Sequence, residues 1–183
     1  KKSGHKQVKP FVYSILLGLL AGIIVLIRPV NIIVLVFPAL IGVTSFTVFL
    51  NRIRQNWILI FLAGTAAFLV ILPQMLYWKA QTGHYIFNSY MDQGKFFFLE
   101  PQIINGLFSY RKGWLIYTPV MILAIFGFFW LRKYASNLFL PILIFTVINI
   151  YMVYSWWCWW YGGSYGSRPM IDMYGIMSIP MAA

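Results

Sequence analysis

The residues best suited to chemistry lie in the run Trp156-Trp157-Cys158-Trp159-Trp160-Tyr161-Gly162-Gly163-Ser164-Tyr165-Gly166-Ser167-Arg168-Pro169. Its first ten positions hold four Trp and two Tyr. The apolar C–H face of a sugar stacks on such rings, while indole N–H and phenol O–H groups donate hydrogen bonds. The glycines let the backbone bend and approach a ligand closely. Trp159, Trp160, Tyr161, Gly162, Gly163 and Tyr165 are therefore candidate sugar- or lipid-binding residues. Arg168 ends the run at the foot of an apolar segment, where a charge near lipid needs a partner. It can meet a phosphate, or pair with Asp172 at i+4 on one helical face. The simpler reading of the run, given less weight, is an aromatic girdle, a turn and a structural ion pair.

Two further stretches carry cations. Arg111-Lys112 precedes an apolar run. A planar guanidinium and a compact ammonium together can grip a lipid-linked phosphate, or both can snorkel to headgroups. Arg28-Pro29-Val30-Asn31 sits between two apolar runs; Pro29 frees backbone carbonyls, and Arg28 can contact a phosphate or cap a helix end. His84 and Tyr85 lie in a long aromatic loop and are further candidates for sugar or lipid contact. The two histidines, His5 and His84, fall on opposite faces of the membrane in the topology below and cannot share a metal. Cys158 is the single cysteine, so neither an internal disulfide nor a cysteine cluster is available. No metal site, phosphate-cradling glycine loop or nucleophilic triad is visible, and no cofactor is implied.

The elements that position these residues are membrane spans. Of 183 residues, 61% are hydrophobic and 9% charged, against about half and about a quarter in soluble domains. The expected fold is all-α, a polytopic transmembrane helix bundle in one domain. A span needs about 20 apolar residues, which places six near 11–28, 30–50, 57–77, 114–131, 137–156 and 170–183. Outer loops occupy 78–113 and 157–169. Alternating from a cytoplasmic N-terminus puts Lys1, Lys2, Lys6, Lys9, Arg52, Arg54, Arg132 and Lys133 inside without one acid, as the positive-inside rule requires. Asp92, Glu100 and Asp172 then fall at or near the outer side. The net charge of +11 is explained by topology and lipid phosphate, and nucleic acid is not an expected partner. The loop 78–113 is too long for a simple turn. Its aromatics predict interfacial helices or a packed lid, with an aromatic belt as the simpler reading.

Gly106-Leu107-Phe108, followed by Arg111-Lys112-Gly113-Trp114-Leu115-Ile116-Tyr117-Thr118-Pro119-Val120, resembles a stretch of bacterial C-type (GT-C) integral-membrane glycosyltransferases. Trp160 to Pro169 resembles their W-x-G-G-x-x-aromatic-G-x-R stretch, with one residue fewer between Gly163 and Tyr165, and Arg28-Pro29-Val30-Asn31 resembles the R-P-[TS]-N at the outer end of an earlier span, with Val30 at the Thr/Ser position. Order and spacing agree over most of the chain. The nearest look-alikes are the protein O-mannosyltransferase and aminoarabinose-transferase kinds. The resemblance implies a site on the extracytoplasmic face of the bacterial inner membrane and a polyprenyl-phosphate sugar as donor. The acceptor is a protein, glycan or lipid. Arg28, Arg111, Lys112 and Arg168 are the implied donor-phosphate ligands. The family's catalytic base is usually an acid on the first outer loop. That loop falls before Lys1, so the chain reads as the C-terminal part of a membrane domain and the catalytic residue is unassigned. The rival readings are a transporter and a non-catalytic membrane subunit of an envelope assembly complex. A transporter favours polar groups and broken helices near the bilayer midplane; here polar residues crowd the outer ends of the spans.

Overall fold

The computed structural model describes residues 10–87 and 94–183. Among these the regular structure is helical, with one isolated antiparallel bridge between Phe96 and Trp156. The α-helices are α1 (Pro10–Ile27), α2 (Val36–Leu40), α3 (Phe46–Gln55), α4 (Trp57–Thr82), α5 (Ile103–Phe108), α6 (Trp114–Tyr117), α7 (Met121–Tyr134), α8 (Ser136–Tyr154) and α9 (Tyr174–Met181). Two 3-10 helices, Pro29–Leu35 and Arg168–Met173, join them. Three of these helices, α1, α4 and α8, are long and apolar enough to cross a membrane.

The other three expected spans are interrupted. Over 30–50 the chain forms a 3-10 helix, the five-residue α2, a turn and then α3. Gly42 breaks it with φ 69°, and Ser45 starts α3 afresh by accepting a hydrogen bond from the Val48 N–H at 3.3 Å; such capping satisfies an otherwise orphaned donor. Over 114–131, Pro119 divides α6 from the 14-residue α7. The residue before a proline is pushed out of the α region, and Thr118 has φ −136°, ψ 65°. Over 170–183, a 3-10 turn led by Pro169 precedes the eight-residue α9. In the opposite sense, α4 runs through Trp78 to Thr82, so the segment expected as a loop from residue 78 begins at Gly83, whose φ of 78° closes the helix. Proline inside α4 (Pro73) and α8 (Pro141) leaves both helices intact.

The described residues form two compact units, residues 10–32 with 45–87 and residues 33–44 with 94–183. In the first, α1 packs along α4. Contact depends on small residues. A Cβ on Gly18 would collide with the Ala63 carbonyl, and one on Gly22 would lie 2.8 Å from the Ala67 oxygen. Gly18 and Gly22 are four apart, the small-xxx-small spacing that lets helices approach where lipid supplies no hydrophobic drive between them.

The second unit holds the core. Along α8, Ile142, Phe145, Thr146, Asn149 and Val153 are buried at helical spacing, the stripe expected of one packed face. Against it lie Ala124, Phe128 and Leu131 of α7 and the fully covered Met170, Met173 and Met177. The α7–α9 contact is also glycine-dependent: a Cβ on Gly127 would strike the Pro180 carbonyl.

Candidate functional site

The segment 94–102 is laid along the end of α8 and the aromatic run that follows. The Phe97 N–H donates to the Ser155 carbonyl at 2.6 Å, Trp157 N–H to Lys95 at 3.0 Å and Gln102 N–H to Tyr154 at 2.8 Å. The Tyr151 hydroxyl donates to the Phe98 carbonyl at 2.8 Å. Rings reinforce the pairing: Phe96 stacks on Phe98 at 5.2 Å and meets Trp156 edge-on at 4.8 Å. Together these elements border an open hollow of about 280 Å³. Phe97, Glu100, Gln102, Tyr154, Ser155, Trp156, Trp157, Trp159 and Trp160 line it. The indoles brace one another, with Trp160 edge-on to Trp159 at 5.7 Å and to Trp157 at 6.2 Å.

Arg111 reaches this wall from the loop before α6, where its guanidinium lies 4.0 Å over the Trp160 ring. A guanidinium stacked on an aromatic face keeps its N–H edge free to bind a carboxylate or phosphate. The loop beneath it is held locally. Arg111 N–H donates to the Ser109 hydroxyl at 3.1 Å and Gly113 N–H to the Ser109 carbonyl at 2.7 Å. The Tyr117 hydroxyl donates to the Tyr110 carbonyl at 2.7 Å.

Two polar links tie this loop and the aromatic run to the segment that follows. Tyr154 and Ser167, both buried, share a hydrogen bond at 3.1 Å. The fully covered Trp114 donates its indole N–H to the Tyr174 hydroxyl, which in turn donates to Thr118 Oγ1, both at 3.2 Å. A buried polar network whose members are partnered specifies one arrangement of its elements.

The residues singled out by sequence divide clearly. Trp159 and Trp160 line the hollow, and Arg111 stacks on Trp160 without being one of the lining residues. Tyr161 is instead a structural part of the turn: its φ is 50°, and its hydroxyl donates to the Val153 carbonyl at 2.7 Å. Gly162, with φ 68°, and Gly163 are exposed turn residues. Tyr165 is 85% exposed and rests edge-on against Tyr117 at 5.3 Å, so it is not a wall of the hollow. Gly166, buried with φ 57°, lets the chain pass Tyr117, whose Cβ a side chain would meet at 3.0 Å. Lys112 is half-buried beside Arg111. Arg168 is exposed, one residue beyond Ser167, the partner of a wall residue. It begins a 3-10 helix that also contains Asp172. Such a helix eclipses i with i+3, so the α-helical i+4 argument for an Arg168–Asp172 pair does not apply to this segment.

Arg28, His84 and Tyr85 belong to the first compact unit. Arg28 follows the last turn of α1, its N–H donating to the Ile24 carbonyl at 2.9 Å. His84 is exposed just beyond α4, and Tyr85 lies 5.2 Å from the Lys79 ammonium. The sequence places Trp156 and Trp157 in the aromatic run but gives no role to Phe97, Glu100 or Gln102; these become one wall only when segment 94–102 pairs with 154–157. Asp92 lies outside the described residues. Among the described residues no group of three or more His, Cys, Asp or Glu could hold a metal ion.

Comparisons with protein families, with characterised proteins and with solved structures return no match for this chain.

Proposed function

We propose that the chain is part of an integral-membrane glycosyltransferase of the C-type, working at the extracytoplasmic face of a bacterial inner membrane on a polyprenyl-phosphate sugar. The observation that carries this reading is the Arg111 guanidinium stacked on Trp160, a wall of an aromatic hollow that also presents Glu100 and Gln102. Each part has a task. Indole faces take the apolar side of a pyranose. Glu100 and Gln102 accept and donate hydrogen bonds at its hydroxyls. Arg111 meets the phosphate and stabilises the charge that develops on it as the glycosidic bond to phosphate breaks. Such a leaving group remains attached to lipid. The helix that leads into the site, α8, is long and apolar enough to cross a membrane, which supports a lipid-linked donor. The catalytic base is not among these assignments; the family resemblance implies an acid on an earlier outer loop.

The test is donor binding by the full chain in nanodiscs, with a polyprenyl-phosphate mannose, the polyprenyl phosphate and the free polyprenol as ligands. The chain should rank them in that order. Arg111→Ala removes a charge-assisted hydrogen bond, about 1.5–3 kcal/mol or roughly 10- to 100-fold in affinity. That loss should appear for both phosphates and not for the polyprenol. Trp160→Ala should weaken the sugar-bearing ligand by about tenfold. Equal affinity for all three ligands, or unchanged binding by both variants, would sink the proposal.

A further inference from the structure

Helix α3 differs in kind from the span-length helices. Those are apolar all round, whereas α3 is amphipathic. Phe46, Phe49, Leu50 and Ile53 follow i, i+3, i+4, i+7 spacing and so share one face. Phe46 is 73% exposed, Leu50 37% and Ile53 39%, and the Phe46 and Phe49 rings lie 6.4 Å apart as one continuous apolar surface. None of its residues is buried. At about 100° per residue, Arg54 with Thr47 and, opposite, Arg52 fall on the two flanks of that stripe, with Asn51 and Gln55 behind it. Val48 is the one apolar residue on the polar side. No acid occurs in the helix.

Its place along the chain says what covers the face. After one residue, Asn56, α4 begins at Trp57, which is 62% exposed. Trp is favoured where a span meets water. Asn56, with φ −112° and ψ 19°, breaks the helix, and both its N–H and its side-chain amide donate to the Arg52 carbonyl, at 3.1 and 2.9 Å. So α3 ends where the span starts, at headgroup level. Ten residues make a helix about 15 Å long, half of a bilayer core. A short helix with an apolar stripe and flanking cations lies in the interface plane.

We propose that α3 is an interfacial anchor, with Phe46, Phe49, Leu50 and Ile53 sunk into the acyl boundary and Arg52 and Arg54 on anionic lipid phosphates. The inference rests on α4 as a span and is independent of the glycosyltransferase reading.

The test uses the full chain with Cys158→Ser and a nitroxide attached in turn through Leu50→Cys, Ile53→Cys, Asn51→Cys and Gln55→Cys. Each variant is reconstituted in phosphatidylcholine vesicles, with and without phosphatidylglycerol. Labels at 50 and 53 should collide with oxygen, the lipid-soluble relaxant, and those at 51 and 55 with an aqueous nickel chelate. Separately, Arg52→Gln and Arg54→Gln should each lower the preference for retained phosphatidylglycerol over phosphatidylcholine by about fivefold. Nickel access at all four positions would mean a helix in water. Shielding of 50 and 53 from both relaxants would mean a protein surface covers the stripe, and oxygen access at all four would mean a span. Any of these, or an unchanged lipid preference in both arginine variants, overturns the proposal.

Discussion

Gly106 is the position where one methyl group should disturb the candidate site most. Its Cα faces the flat of the Tyr154 ring, and an added Cβ would fall inside contact distance of Cγ, Cδ1 and Cε1. The ring cannot swing aside. Tyr154 is 1% exposed, its hydroxyl is bound to Ser167, and its carbonyl accepts the Gln102 N–H. The strain therefore falls on α5, which must retreat by about 1 Å to restore ordinary contact. Overpacking of this kind costs about 1–3 kcal/mol, and three ring carbons in conflict argue for the upper end. Ala gains about 1 kcal/mol over Gly in a helix, which offsets part of it. Gly106→Ala should thus destabilise by about 2 kcal/mol, seen as a fall of about 5 °C in apparent melting temperature in detergent. Because Gln102 leads into α5, where its carbonyl accepts the Gly106 N–H, and also lines the hollow, the shift should loosen the wall around Cys158. Maleimide labelling of that cysteine should speed up accordingly. Tyr154→Leu removes the obstructing ring, so the same glycine change should then cost nearly nothing; neighbours in contact couple in this way. An unchanged melting temperature, or an equal cost in both backgrounds, would refute this account of how α5 is seated.

Gly18→Val should separate α1 from α4 and lower the melting temperature, because its branched side chain would press on the Ala63 backbone. Gly64→Ala on α4 is the control: a Cβ there meets nothing within 4 Å, and the melting temperature should hold or rise slightly. Ser167→Ala should cost about 1–3 kcal/mol by leaving the buried Tyr154 hydroxyl without its partner, whereas restoring an oxygen with Ser167→Thr should recover part of the loss; thermal unfolding of both variants decides it.

Much about this chain follows from residue order alone. Apolar length determines that α1, α4 and α8 are helices able to cross a membrane, since a helix of such residues has its backbone polar groups satisfied internally and its side chains stable in lipid. The dense row of indoles is equally plain, and so, in retrospect, is the Gly18-xxx-Gly22 spacing on α1, a local signal for close helix approach. Counting apolar residues does not reveal where single residues interrupt a helix. Pro119 splits one expected span, and Gly42 with Ser45 splits another. The candidate site belongs to tertiary structure. Segment 94–102 finds its partners some sixty residues away through main-chain bonds to Lys95, Phe97 and Gln102. Main-chain groups are the same in every residue, so this pairing leaves no mark in the sequence. Only that pairing places Glu100 and Gln102 opposite the tryptophans and separates Tyr161 and Tyr165, which hold or flank the turn, from Trp159 and Trp160, which form the wall.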